Sequence, residues 1–224
     1  MNPSDRKAHT ARRKLTFPVL FLLLALVVIA SIWAGAVHVS PLTLVRSVLH
    51  RAGVAGINPP SAQDLTIVLH IRLPRIVTAF LVGAALSMCG AAMQGLFRNP
   101  MASPDILGIT AGGSLGAVIA IGTGLYSAGV FVLPVFAMIG AVISSLLIYL
   151  ISNSGGRTSL LFVVLAGLAI SSLFNGLVSA ILLFSKQYEV SQFIFWTMGS
   201  FDGRMWKHIV VPLPILIPGM VLLL

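Results

Sequence analysis

The chain has 224 residues, of which 58% are hydrophobic and only 8% charged, with a mean hydropathy of +1.04. A soluble domain carries about 25% charged residues, so a water-soluble globular fold is excluded and an integral membrane protein with several spans is indicated. The formal net charge of +9 does not point to nucleic acid, because five of the fourteen Lys/Arg lie in the first fourteen residues and no later basic cluster forms a stripe.

Residues 1–16 form a basic tail with Arg6, Lys7, Arg12, Arg13 and Lys14, and residues 17–224 form the transmembrane domain. Phe17 to Val37 reads as span one. Ala34-Gly35-Ala36 resembles a signal-cleavage pattern, but the apolar run exceeds the usual signal core of about 7–15 residues, so it is read as an uncleaved span. Residues 38–71 are mixed and polar, broken at Asn58-Pro59-Pro60-Ser61, and read as an external loop with a short interfacial helix near Leu42 to Arg51. Span two, Ile76 to Phe97, opens with Arg72 and Arg75 around Pro74, a residue suited to a helix's first turn. A tight polar hairpin follows from Arg98 to Asp105 and contains Asn99, Pro100 and Pro104.

Span three runs from Ile106 to about Leu125 and span four from about Val130 to Ile151. Span five starts from an N-cap at Thr158 or Ser159 and runs to about Phe184. Residues 185–208 interleave polar residues with Tyr188, Phe193, Phe195, Trp196, Phe201 and Trp206, which reads as an external helix and loop at the headgroup boundary. The last apolar run, Ile209 to Leu224, is roughly 24 Å long as a helix and carries Pro212, Pro214 and Pro218. It is read as an incomplete sixth span. The expected fold is all-α: a polytopic membrane helix bundle with five full spans plus that incomplete sixth.

The positive-inside rule alone ties. Seven Lys/Arg fall inside (the five of the tail, Arg98 and Arg157) and seven outside (Arg46, Arg51, Arg72, Arg75, Lys186, Arg204 and Lys207). The first span usually dominates, so the N-terminus and the Asn99–Asp105 hairpin are placed in the cytoplasm.

Spans two and three carry small residues every fourth position: Gly83, Ser87, Ala91 and Gly95, then Gly108, Gly112, Gly116, Ala120 and Gly124. That spacing keeps them on one helix face, where backbones approach closely. Lipid gives helices no hydrophobic reason to associate, so such faces are candidate packing seams. Span five has its own stripe in Gly167, Ser171, Asn175 and Ser179. Asn175 at mid-span needs a partner or water, which suits either helix–helix hydrogen bonding or the wall of a polar path; Gln94 near the end of span two has the same two readings.

No Walker A, HExxH or GxSxG pattern occurs, the five histidines show no ligand spacing, and no catalytic, metal or cofactor site is read. Cys89 is a lone apolar-helix cysteine, read as a small hydrophobe. All five acidic residues fall in tails or loops. Ion-coupled transporters commonly hold a carboxylate within the membrane, so this argues against a secondary transporter, although a secondary transporter or channel stays among the competing expectations.

Arg72-Leu73-Pro74-Arg75, Gly83-Ala84-Ala85-Leu86, Gly90-Ala91-Ala92-Met93-Gln94-Gly95 and Asn99-Pro100-Met101-Ala102-Ser103-Pro104-Asp105-Ile106-Leu107-Gly108 together resemble the FecCD family, the membrane permeases of ABC importers for iron–siderophores, haem and cobalamin. Met101 departs from the family's usual Leu, a volume-conserving swap. The resemblance implies a bacterial cytoplasmic (inner) membrane location. It also implies a second permease copy (the same chain or a paralogue), separate cytoplasmic ATPase subunits and an extracytoplasmic substrate-binding protein. It further implies that Arg72 and Arg75 meet acidic residues of the binding protein, and that Ser171, Asn175 and Ser179, with Gln94, line the translocation path. The family normally has ten spans, and its main ATPase-docking loop follows span six. The chain is therefore expected to be truncated relative to the family, and an incomplete, inactive fragment is the competing expectation.

Overall fold

A computed structural model describes residues 3–33, 40–54, 61–153 and 160–223. It is helical throughout, with no strand among the described residues. The elements are α1 (Pro3–Trp33), α2 (Pro41–Arg51), α3 (Ala62–Thr66), α4 (Leu73–Phe97), α5 (Ile109–Gly122), α6 (Val132–Ser152), α7 (Leu160–Phe184), α8 (Gln187–Met198), α9 (Trp206–Val210) and α10 (Leu213–Leu222). The basic tail from Pro3 onward is the first part of α1. The proposed caps of span five at Thr158 and Ser159, like Asn58-Pro59-Pro60, lie outside the described residues.

Among the described residues, three helices are long and apolar enough to cross a membrane: the run Ala62–Phe97, then Val132–Ser152, then Leu160–Phe184. Three shorter apolar helices accompany them, Leu15–Ser31, Ile109–Gly122 and Trp206–Leu222. The expected bundle is present, but two spans differ from the reading of the sequence. Span three is a helix of only 14 residues, about 21 Å long. Gly108 and Gly124 adopt left-handed backbone (φ 66° and 74°), and 3-10 turns at Pro104–Leu107 and Leu125–Ala128 flank the helix. Span two starts earlier than expected, because part of the supposed loop is helix: α3, a π turn over Ile67–Arg72 and α4 form one run of 36 residues.

The chain divides into two compact units, residues 1–82 with 201–217, and residues 83–200 with 218–224. In the first, Ser40 caps α2 by accepting from the Thr43 N–H at 3.2 Å, and Ser61 caps α3 by accepting from the Asp64 N–H at 3.0 Å. In the second, α5 is the central element, with half of its residues buried and most of the rest half-buried among α6, α7 and α8. Ala111 packs with Ile148, Ala166, Ile170 and Phe174; Ala117, Val118 and Ile121 pack with Val178 and Phe193. The outward faces of α6 and α7 are exposed and apolar, as at Val142, Leu146, Leu165 and Leu173. Such faces suit a hydrocarbon solvent.

Candidate functional site

The seam between α5 and α6 is built from the span-three stripe. A Cβ on Gly112 would lie 2.4 Å from the Gly140 carbonyl oxygen, and one on Gly116 would lie 2.0 Å from the Phe136 carbonyl oxygen. Partners advance by four on α5 as they retreat by four on α6, which is antiparallel packing with the two backbones in contact. Ser144 is fully buried, and its hydroxyl donates to the Gly108 carbonyl at 2.8 Å. The Gly112 N–H donates to the same oxygen at 3.1 Å. Gly140 and Ser144 were not singled out from the sequence, although they are themselves a small pair four apart.

The hairpin is a hydrogen-bonded turn. The Asn99 side-chain oxygen accepts from the Met101 N–H at 2.9 Å, and the Ala102 N–H returns to the Asn99 carbonyl at 3.1 Å. Asparagine offers this local bond readily, which is why it starts turns. Pro104 opens the 3-10 turn and Asp105 accepts from the Thr110 hydroxyl across Gly108. The turn rests on α7, where a Cβ on Gly167 would lie 2.4 Å from the Ile106 carbonyl oxygen. Gly108 faces Ser171 so closely that a Cβ there would lie 2.8 Å from the serine hydroxyl.

The span-five stripe is not one buried face. A spacing of four advances 400° around a helix of 100° per residue, so each member turns 40° from the last. Gly167 is buried and Ser171 half-buried, whereas Asn175 and Ser179 are exposed. Gln94 is also exposed, and among the described residues neither the Gln94 nor the Asn175 amide has a side-chain hydrogen-bond partner. The span-two stripe meets open space as well: a Cβ on Gly83 or Gly95 finds nothing within 4 Å.

Arg72 and Arg75 occupy a setting the sequence did not suggest. They do not open a helix, since the run begins at Ala62 about three turns earlier. The unfavourable placement of arginine at a helix N-terminus therefore does not arise; that end carries Asp64, the charge its dipole favours. Pro74 lies inside the run, where in an α-helix it would leave the His70 carbonyl without its donor and press its ring against it. The chain widens instead, and the Leu73 N–H donates to Val68, five residues back. The Trp206 indole N–H donates to the Leu69 carbonyl within this widened turn, at 2.8 Å. Arg72 is 8% exposed and Arg75 is exposed. Both line an apolar cavity of about 750 Å³ with Val28, Ile71, Phe80 and Asp202 among its other walls.

Glu189 starts α8 by accepting from the Lys186 N–H at 2.9 Å. That backbone bond, then the Tyr188 hydroxyl, holds its carboxyl below the ordinary glutamate value, while the same contact raises the Tyr188 phenol. Among the described residues, no group of three or more His, Cys, Asp or Glu could hold a metal ion.

The FecCD transport family matches residues 23–224. The chain belongs to this family. It is 39% identical to the cobalamin import system permease BtuC of Halobacterium salinarum, over 74% of this chain and 44% of that protein. It is 33% identical to the molybdate import system permease MolB of Haemophilus influenzae, over 85% of this chain and 55% of that protein. The iron(3+)-hydroxamate import system permease FhuG of Bacillus subtilis is 32% identical, over 93% of this chain and 61% of its own length. Among solved structures, an ABC transporter assigned to the metal-chelate type, in an inward-facing conformation, matches 91% of this chain and 59% of its own at TM-score 0.72 and 29% identity. This FecCD chain thus spans about half the length of the curated relatives it matches. It is a multi-pass membrane protein of a transport family.

Proposed function

We propose that the chain is permease of an ATP-driven importer for a metal chelate such as an iron–siderophore, haem or cobalamin. The carrying observation is the family match over residues 23–224, with relatives that are permeases of import systems. In this reading the N-terminus and the Asn99-Pro100…Pro104 hairpin face the cytoplasm of a bacterial inner membrane. ATP is hydrolysed on separate cytoplasmic subunits, and a soluble protein delivers the chelate from outside.

Two permease copies enclose the path. The exposed amides of Gln94 and Asn175, with Ser179, are available to water, substrate or a second copy, which supports their assignment to that path together with Ser171. The open stripe Gly83, Ser87, Ala91 and Gly95 is a surface a second copy can approach. Arg72 and Arg75 are assigned to docking; the exposed Arg75 can offer its guanidinium fork to carboxylates on a soluble partner, and the buried Arg72 backs it from within the chain.

The test is uptake of radiolabelled ferric hydroxamate, cobalamin and haem by cells with and without the encoding gene, before and after ATP depletion. ATP-dependent loss of one chelate on deletion is the expected result. Uptake that survives ATP depletion overturns the importer reading in favour of a secondary transporter or channel.

A further inference from the structure

The widened turn Ile67–Arg72 has a donor deficit that can be counted. The Leu69 carbonyl has two possible partners along the helix. The first is the Leu73 N–H, four residues on, which is already given to Val68. The second is residue 74, five residues on, which is proline and has no N–H. The helix therefore leaves Leu69 without a backbone donor, and its half-buried carbonyl must be met by a side chain or by water. The donor comes from 137 residues away: the Trp206 indole N–H, at 2.8 Å. An indole nitrogen can only donate, so it suits an orphan acceptor.

We propose that Trp206 is a positioning residue that latches this π turn and thereby fixes Arg72 and Arg75. A π turn inserts one extra residue into the helix, so it sets the rotation between the side chains before it and those at its end and beyond. Arg72 is the last residue of the turn and Arg75 follows Pro74 directly. Holding Leu69 holds the register in which Arg72 is buried and Arg75 exposed. Without the indole N–H, the Leu69 carbonyl must find water or the turn must shift, and the burial of position 72 changes with it. The value of that positioning for import rests on the docking role proposed for the two arginines; the latch itself does not.

The experiment reads the position directly and needs no binding protein. In a full chain carrying Cys89→Ser, Arg72→Cys is labelled with a water-soluble methanethiosulfonate in detergent, with Ile71→Cys (exposed) as the control site. Position 72 reacts more slowly than 71 when the latch is intact. Trp206→Phe keeps the ring and removes the donor, and raises the rate at 72 by about fivefold, the effect of one net hydrogen bond, with little change at 71. Pro74→Ala supplies the missing N–H within the helix, so adding Trp206→Phe to Pro74→Ala changes the rate at 72 little. An unchanged rate at 72 in Trp206→Phe overturns the latch. Equal acceleration at 71 and 72, or the same Trp206→Phe effect with and without Pro74→Ala, shows general loosening and also overturns it. Arg75→Glu is scored separately for chelate uptake in cells: if uptake is unchanged while the labelling pattern holds, the docking reading fails and the latch stands.

Discussion

Replacing Gly116 by alanine tests the α5–α6 seam with one methyl group. The added Cβ would lie 2.0 Å from the Phe136 carbonyl oxygen, 2.7 Å from its carbon and 3.2 Å from the Ala137 Cα. Carbon–oxygen contacts between packed helices settle near about 3.3–3.6 Å. Every atom met is backbone, so no side chain can swing aside and the helices must part by roughly 1 Å. A gap of that size forfeits a quarter to a half of the contact energy of the atoms lining it. Overpacking of this kind costs about 1–3 kcal/mol, and Gly116→Ala belongs at the upper end. Gly95→Ala is the matched control. Its Cβ meets nothing within 4 Å, and the better helix propensity of alanine favours it by roughly 0.5–1 kcal/mol. The assay is unfolding of purified monomer by sodium dodecyl sulfate titrated into dodecyl maltoside, followed by circular dichroism. A wild-type midpoint for Gly116→Ala, or an equal loss in Gly95→Ala, refutes the seam.

Ser144→Ala removes the buried hydroxyl that serves the Gly108 carbonyl and should cost about 1 kcal/mol in the same titration. The loss stays that small because the Gly112 N–H still reaches that oxygen. An effect as large as that of Gly116→Ala would contradict this. The lowered Glu189 carboxyl predicts a pH effect of definite sign. Its folded value lies below the unfolded one, so its contribution is complete above about pH 4.5 and fades as pH falls through the lower folded value. Melting of Glu189→Gln should therefore lack the part of the acid-side decline seen in the parent chain that begins near that pH; parallel pH–melting curves would refute the assignment.

Much of this arrangement was legible because the membrane restricts the choices. Apolar length separated the helices from their connections, and the small residues at Gly112 and Gly116 marked a face that does meet another backbone. Asn99 and Pro104 punctuated the hairpin through ordinary turn chemistry. The start of the second span is not legible in the sequence, because a proline between two arginines reads by its commonest use, in the first turn of a helix. The Ser61…Asp64 cap signal earlier in the chain is a start signal of the same kind, and the widened turn before Pro74, with its donor at Trp206, is announced by no local pattern. The Asn175 stripe misled for a geometric reason: a spacing of four drifts around the helix, so a line of small and polar residues begins buried at Gly167 and emerges by Asn175. Trp206 looked like any interfacial aromatic, since its partner is a backbone atom.

The short α5 has a mechanical consequence. Left-handed glycines close it at both ends, so its length of about 21 Å is fixed, and its neighbours shield most of it from lipid. α7, with 25 residues, is about 37 Å long and presents exposed apolar side chains to its surroundings. A thinner or thicker bilayer therefore acts on the long helices, through tilt, and not on the central one. Tilting pivots at the points where α6 and α7 touch α5 and its leading turn through glycine, at Gly140 and Gly167, where no side chain stands between the backbones.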